Sequence, residues 1–352
     1  MNNEELKKVF EAMQLDGDPE DMTINSRVLL VDGLNTFIRN YCARPTMDDH
    51  GKQIGGTTGF LQSVGSVVRS FHSTRVIVVW DGKGGSQRRK QLFPEYKETR
   101  KVATRLNRPQ DFKTDEQETE NMTEQLYLLG QFLPFLPMSS IQIEGVEADD
   151  IIGYLSQHIT DQNPKSEVII YSTDKDFLQL VNDKIRVFNG QQKKMYDVPA
   201  ILDKHKAHPA NFVFYRCLIG DKGDNIDGIP GVKEKTAIKY LPELANPEIA
   251  VDYDFVINKF KDEKKLPVAV KSIINGSTRL ARNEKLMDLK LQQMSDNARL
   301  IVLRMLKEKP PKLNKLALTK AMMDSRVLSN FVGYNDWLTF GMLPLMRFRD
   351  DV

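Results

Sequence analysis

Three short apolar runs set what this chain can fold into. RVLLVDG occupies residues 27–33, RVIVVWDGKGG residues 75–85 and SEVIIYSTDKD residues 166–176. Each is rich in β-branched residues and is bounded by turn formers, which suits strands covered on both faces. Helical patterns lie between them, at about 56–71, 118–133 and 148–158. Strands alternating with helices predict an α/β fold with a mostly parallel sheet. Each run also finishes in acid: Asp32, Asp81, and Asp174 with Asp176. In open parallel sheets ligands sit outside the carboxyl ends of the strands. These aspartates, remote in sequence, are therefore expected in one shared cleft.

The chain has 352 residues, enough for one large domain with a smaller lobe or extensions. Two cysteines, Cys42 and Cys217, form no CxxC pair, which argues against a disulfide framework or a thiolate metal site. The first residues, MNNEELKKVFEAMQ, are charged and lack an apolar leader core. No apolar run approaches the ~20 residues that span a bilayer. A soluble, cytoplasmic protein without a membrane partner is expected. From about residue 200 the pattern turns helical, and EKPPKLNK (308–315) reads as a linker. The expected division is an N-terminal extension 1–25, an α/β unit 26–200, a helical region 201–307 and a C-terminal extension 308–352. In that last part Phe331, Trp337, Phe340 and Met342 either pack back on the core or dock a single-strand-binding protein or sliding clamp.

The acids gather further members. GVEADD supplies Glu147, Asp149 and Asp150 at a helix start, and GDKGDN supplies Asp221 and Asp224. One or two acids serve a helix N-terminus, but three exceed that need. Any one of these aspartates is explained by a turn or a cap. Together they would repel and raise each other's pKa unless cations intervene. None of the five histidines falls in these motifs. An all-oxygen set favours Mg²⁺ or Mn²⁺, and two such ions can clamp a phosphodiester.

Positive charge is segregated too. The whole chain carries a net charge of only +2, yet residues 82–110 hold nine Lys/Arg against Glu95 and Glu98. This stretch follows Asp81 directly and interleaves Phe93 and Tyr96, as a surface that neutralises phosphates and stacks bases would. A solvated basic helix is the plainer explanation. GIPGVKEKTA (228–237) forms a Gly-rich turn between helical stretches, with Lys233 and Lys235. Such a hairpin either grips phosphates through backbone amides or simply packs.

In order, LLVDG, VVWDGK, FPEYKETR, GVEADD, STDKD, GDKGDNIDGIPGV and KTA resemble the structure-specific 5′ nucleases, the family of flap endonucleases and 5′-3′ exonucleases that includes phage-type RNase H proteins. The match runs from about 27 to 240. The resemblance implies a PIN-like α/β catalytic domain, a helical arch at about 85–130 and a helix-hairpin-helix (H3TH) subdomain. It implies two metal ions, one among Asp32, Asp81, Asp149 and Asp174 and one among Asp176, Asp221 and Asp224. Glu147 and Asp150 would ligate directly or through water. Tyr96 would stack on the terminal base and Lys97 polarise the scissile phosphate, with Arg88, Arg89 and Arg100 holding phosphates. Gly228, Gly231 and Val232 would present hairpin amides to duplex DNA, around a K⁺ ion. The family usually has glycine where this chain has Lys233, and its first aspartate usually lies closer to the start. The implied activity is a metal-dependent 5′-3′ exonuclease and flap endonuclease. Its substrates would be flapped, forked or nicked DNA and RNA·DNA hybrids, for removal of lagging-strand primers. A monomer in a bacterial cytoplasm, phage-encoded, fits that task. The alternatives are a PIN-type single-stranded ribonuclease and an inactive nucleic-acid-binding protein.

Overall fold

The computed structural model describes residues 22–98, 114–290 and 294–348. Six strands form one sheet: β1 (Arg27–Asp32), β2 (Arg75–Trp80), β3 (Ser139–Gln142), β4 (Glu167–Tyr171), β5 (Ile185–Asn189) and β6 (Lys194–Tyr196). Their spatial order is β3-β2-β1-β4-β5-β6. The first five are parallel, and β6 returns antiparallel against β5. The expected mostly parallel sheet is present. The chain moves from β1 outward to β2 and β3, then crosses back to lay β4 on the other side of β1. The crevice at the carboxyl ends of β1, β2 and β4 is therefore the switch point at which such sheets bind ligands.

Alternation along the strands sorts the core into two layers. Val28, Leu30, Ile77, Val79, Val168 and Ile170 face one cluster; Leu29, Val31, Val76, Val78 and Ile169 face the other. Helices α1 (Gly33–Ala43) and α2 (Gly55–Phe71) cover the second face. The basic stretch begins with the short helix α3 (Gln87–Leu92), and α4 (Asp115–Phe132) leads back to β3. Helix α5 (Ala148–Gln162) covers the first face. After β6 come α6 (Val198–His205) and α7 (Phe212–Ile219), a two-residue strand pair β7 (Gly220–Asp221) and β8 (Ile226–Asp227), then α8 (Glu234–Tyr240). Helices α9 (Tyr253–Phe260), α10 (Val268–Asn275), α11 (Ser277–Met287) and α12 (Asp296–Lys307) complete the helical half. This half shares one continuous core with the sheet, since Phe212, Leu218, Ile273 and Val302 join the cluster of Val28 and Ile77.

The sequence expectation misses three strands and shifts several ends. SSIQ of β3 carries two exposed polar residues at the sheet edge, and β5 alternates instead of running continuously apolar. Helix α4 starts at Asp115 because Thr114 caps it, accepting from the Gln117 amide at 3.3 Å. The C-terminal extension packs back on the core. Helix α13 (Lys315–Asp324) and the segment after it bury Leu318, Met322, Phe331, Trp337 and Met342 against α2 and the sheet. The Trp337 indole N–H donates to the Leu61 carbonyl at 2.8 Å. Phe340 is half exposed, beneath the Arg69 guanidinium.

Arg75, at the start of β2, is 1% exposed. Its guanidinium donates to the carbonyls of Leu306 at 2.7 Å, Met305 at 2.9 Å and Glu308 at 3.0 Å. These carbonyls lie at the end of α12, where a cation is favoured. Burial pushes Arg75 down to about 10, so its charge is held there at a desolvation cost. Replacing Arg75 with Met is expected to lower unfolding free energy by about 2 kcal/mol, measured by urea denaturation. An unchanged midpoint would show that water caps α12 equally well.

Candidate active site

Each acid-tipped strand delivers its carboxylate for a local reason. Asp32 ends β1 and caps α1, accepting from the Asn35 amide at 3.2 Å. Asp81 follows β2 and accepts from the Ala148 amide at 3.0 Å, at the first turn of α5. Gly82 makes that contact possible: a Cβ there would sit 1.7 Å from the Ile143 carbonyl oxygen. The Asp-Gly pair is thus a close packing of β2 on the loop before α5. Beyond β4, Asp174 accepts from the Asp176 amide at 2.8 Å. Buried Ser172 ties the two strands together, donating to Asp32 Oδ2 at 2.8 Å and accepting from the Asp174 amide at 3.1 Å.

Asp32, Asp81, Asp149 and Asp174 act on one another electrically. Burial pushes Asp32 up to about 7, and repulsion from Asp174 and Asp81 adds to it against the Ser172 hydrogen bond. Burial also raises Asp149, with Asp174, Asp32 and Asp81 pushing further and Lys97 opposing. Asp174 is raised by burial and by Asp224 and Asp221. Among the described residues, no group of three or more such side chains is placed to hold a metal ion as it stands. The donor chemistry does fit a hard divalent cation: carboxylate oxygens only, in a surplus of negative charge that Lys97 and Arg216 relieve only in part.

Glu147, Asp150, Asp176 and Asp221 already have cations, which the count of acids alone does not reveal. Arg89 of α3 is buried and grips Asp150 through two hydrogen bonds of 2.9 Å. The same guanidinium pairs with Glu147 and donates to the Leu286 carbonyl at 2.9 Å. Lys97 also pairs with Glu147. Burial would raise the Glu147 carboxyl, but Arg89 and Lys97 outweigh it and hold it below its usual range. Arg216 of α7 bridges Asp176, at 2.9 Å, to Asp221. Asp176 is nonetheless pushed up to about 7, by burial first, with Arg216 opposing.

Two expectations for the basic stretch are corrected. Arg89 does not face the cleft for phosphates, because its charge is spent under Glu147 and Asp150. Tyr96 offers no open ring: it is 2% exposed, packed in the core, with its hydroxyl 3.4 Å from Glu147. Arg88 is exposed, and Lys97 is half-buried with its ammonium 4.9 Å from the Tyr96 ring centre. Arg100 and much of the expected arch lie outside the described residues. The Lys97 backbone has a left-handed φ of 58°, and its amide donates to the Asp224 carbonyl at 3.0 Å. Asn225 donates to the Glu95 carbonyl at 2.9 Å. Residues 95–97 are thereby fastened to the turn carrying buried Asp224.

The hairpin follows that turn. A Cβ on Gly228 would meet the Leu218 carbonyl oxygen at 2.5 Å, so only glycine allows this approach. Val232 is buried and its amide donates to Ile229 at 3.0 Å, so it does not present that amide outward. Gly231 is exposed at φ +77°. Lys233 sits at φ −115° as the cap residue of α8, an ordinary extended conformation. The departure from glycine there costs no strain, and Lys233 and Lys235 both reach solvent.

The family model for the 5′-3′ exonuclease N-terminal resolvase-like domain matches residues 27–206, over half of the chain. The chain belongs to the 5′-3′ exonuclease family. A 5′-3′ exonuclease of Aquifex aeolicus is 28% identical over 288 residues, covering 82% of this chain and 88% of that protein. DNA polymerase I of Pseudomonas aeruginosa is 34% identical over 215 residues, which is 61% of this chain but 22% of the polymerase. Among solved structures, phage T5 5′-exonuclease with bound zinc ions superposes at a TM-score of 0.59 and 22% identity, covering 87% of this chain and 99% of that one. A T5 flap endonuclease complex with DNA and metal ions superposes at 0.58 and 23% identity. At those identities the likeness shows the fold, a PIN-like sheet flanked by helices.

In this family member the acids at strand ends were readable from sequence, whereas Ser172, Arg216 and the Arg89 pairing were not. Ser172 stands within the quoted STDKD motif, and its spacing from Asp174 was the available signal. A folded-state pKa near 7 for Asp32, against 3.8 ordinarily, means the folded protein binds that proton more tightly than the unfolded chain. Its contribution to stability is therefore lost as pH rises from about 4 to about 7. In EDTA, Asp32→Asn is expected to melt above the wild type by ~2–5 °C at pH 8 and by much less at pH 5. Differential scanning fluorimetry checks this, and an advantage independent of pH would contradict the strained-acid account.

Proposed function

We propose that this chain is a divalent-metal-dependent 5′-3′ exonuclease and flap endonuclease that acts on DNA and on RNA·DNA hybrids and removes primers during replication. The observation that carries the reading is the uncompensated acid group at the carboxyl ends of β1, β2 and β4, flanked by Lys97 and the hairpin. Asp32, Asp81, Asp149 and Asp174 would hold a Mg²⁺ or Mn²⁺ ion. Asp176, Asp221 and Asp224 would hold a second, with weaker demand because Arg216 already offsets Asp176 and Asp221. When bound, such ions supply positive charge against the attacked phosphate and its leaving oxygen. Crystals of the T5 relative with metal ions, and of its complex with DNA, support this choice of ligand and substrate.

The chain's own groups have separable tasks in this reading. Lys97 stands beside the acids, its ammonium shared with Glu147, and can turn to a phosphate oxygen. Arg89 holds Glu147 and Asp150 so that the first turn of α5 keeps Asp149 in the cleft. Exposed Lys233 and Lys235 steer the duplex backbone to the hairpin without reading sequence.

A 5′-labelled flap duplex and a matched RNA·DNA hybrid test the proposal. Wild type with Mg²⁺ is expected to cut near the flap junction and to stop in EDTA. Asp174→Ala should reduce the rate on the order of a hundredfold or more while retaining DNA binding in a gel-shift assay. Intact flaps with Mg²⁺, under conditions of measured binding, would overturn it. Preference for unpaired RNA over both substrates would favour a PIN-type ribonuclease.

A further inference from the structure

The candidate active site has two unlike flanks. On one side stand Lys97, the hairpin with exposed Lys222, Lys233 and Lys235, and α11. The Arg282 guanidinium of α11 lies 4.3 Å from the centre of the Phe93 ring, and Arg279 donates to the Gly228 carbonyl at 2.9 Å. This flank suits the phosphates of a duplex, whose bases are hidden. On the other side Asp81 also lines a groove of about 650 Å³ with Trp80, Leu126, Gly130, Met138 and Ser140. No lysine or arginine lines that groove among the described residues. Its volume falls in the range of about 300–1,000 Å³ usual for ligand clefts.

The groove is built, not merely left over. The Trp80 indole is half-buried, stacked on Phe60 with centroids 5.8 Å apart, and its N–H donates to Ser140 Oγ at 3.0 Å. Gln142 donates from its amide to the Asp81 carbonyl at 2.8 Å, joining the groove's polar rim to the catalytic strand end. Met138 belongs to the core behind the groove, and half-buried Leu126 packs against that core. A Cβ added at Gly130 would meet nothing within 4 Å, so this glycine leaves α4 open toward the groove.

We infer that this groove receives a base of the unpaired 5′ strand, next to the phosphate that the acids address. The inference rests on the nuclease reading above and adds to it a subsite with a ligand class. Unpaired strands expose flat π-faces that a duplex conceals, and an apolar wall with few polar groups binds them without sequence preference. Asp81 belongs to both the acid group and the groove, so a phosphate at the acids places its neighbouring nucleotide at the groove's mouth. A wall without cations adds no grip on the phosphates of an intact duplex. The groove therefore discriminates between flapped and fully paired ends.

Gly130→Leu fills the groove without altering any acid, and leucine favours the helix over glycine. Gly130→Ala, which adds only a methyl, is the control. Three substrates are compared: a flap duplex with normal bases, the same flap with abasic nucleotides, and a nicked duplex without a flap. For Gly130→Leu, kcat/KM on the base-bearing flap is expected to fall on the order of tenfold, with the abasic flap and the nick unaffected. Binding is read separately in EDTA from 2-aminopurine placed in the flap, whose fluorescence should be quenched by wild type and Gly130→Ala and not by Gly130→Leu. Equal losses on all three substrates, or unchanged cutting and quenching by Gly130→Leu, would overturn the groove assignment. If wild type quenches 2-aminopurine but cuts nothing with Mg²⁺, the nuclease reading fails while the groove stands.

Discussion

Like charges taken out of water repel strongly, and the sheet of this protein is arranged so that they meet. Three parallel strands end side by side, and each leads directly or within a few residues to an aspartate, so the fold itself creates a negative surplus that no single segment contains. Everything nearby answers that surplus. Helix α5 turns its N-terminal amides toward it, Arg89 and Lys97 take two of the acids, and Arg216 takes two more. Asp32, Asp149 and Asp174 are left strained, and Asp176 stays raised despite Arg216. That remainder is where an external cation has most to gain, and it sits at the crevice of a doubly covered sheet, where such folds bind ligands.

The pairing of surplus and compensation also explains why some acids must be buried beside cations. Arg89 connects α3 to the first turn of α5 and to the end of α11, joining the basic stretch, the catalytic strand region and the helical half at one guanidinium. Removing one partner from such a buried group strands the others' charges. Arg216 does similar work between the loop after β4 and the β7–β8 turn. The geometry of the acids is thus held by ion pairs that span the helical region as well as the sheet, in keeping with the single continuous core.

Much of this was legible in the residues, for identifiable reasons. Strands covered on both faces leave continuous apolar runs, so β1, β2 and β4 and their terminal acids stood out. β3, β5 and β6 did not, because a short edge or an alternating pattern is a weak signal. The acids could be counted but not sorted. Whether an aspartate has a cation beside it depends on partners 61 and 40 residues away, such as Arg89 to Asp150 and Arg216 to Asp176. The family resemblance implies presented groups at Tyr96 and Val232, and both fall in turn-rich, polar stretches. Tertiary packing buries them instead. Lys233, which looked like a strained exception, is an ordinary helix cap.

Residues 315–345 cover the same sheet face that β1, β2 and α2 expose early in the chain. On a ribosome those strands emerge long before their cover does. The layer over Leu29, Val31, Val76 and Val78 begins with α1 and α2 and is completed only by the far later Leu318, Met322, Trp337 and Met342. The indole of Trp337, seated on the Leu61 carbonyl, helps to close that layer. Order in time follows from order in space: this face of the sheet is complete only when α13 and the turns beyond it have docked.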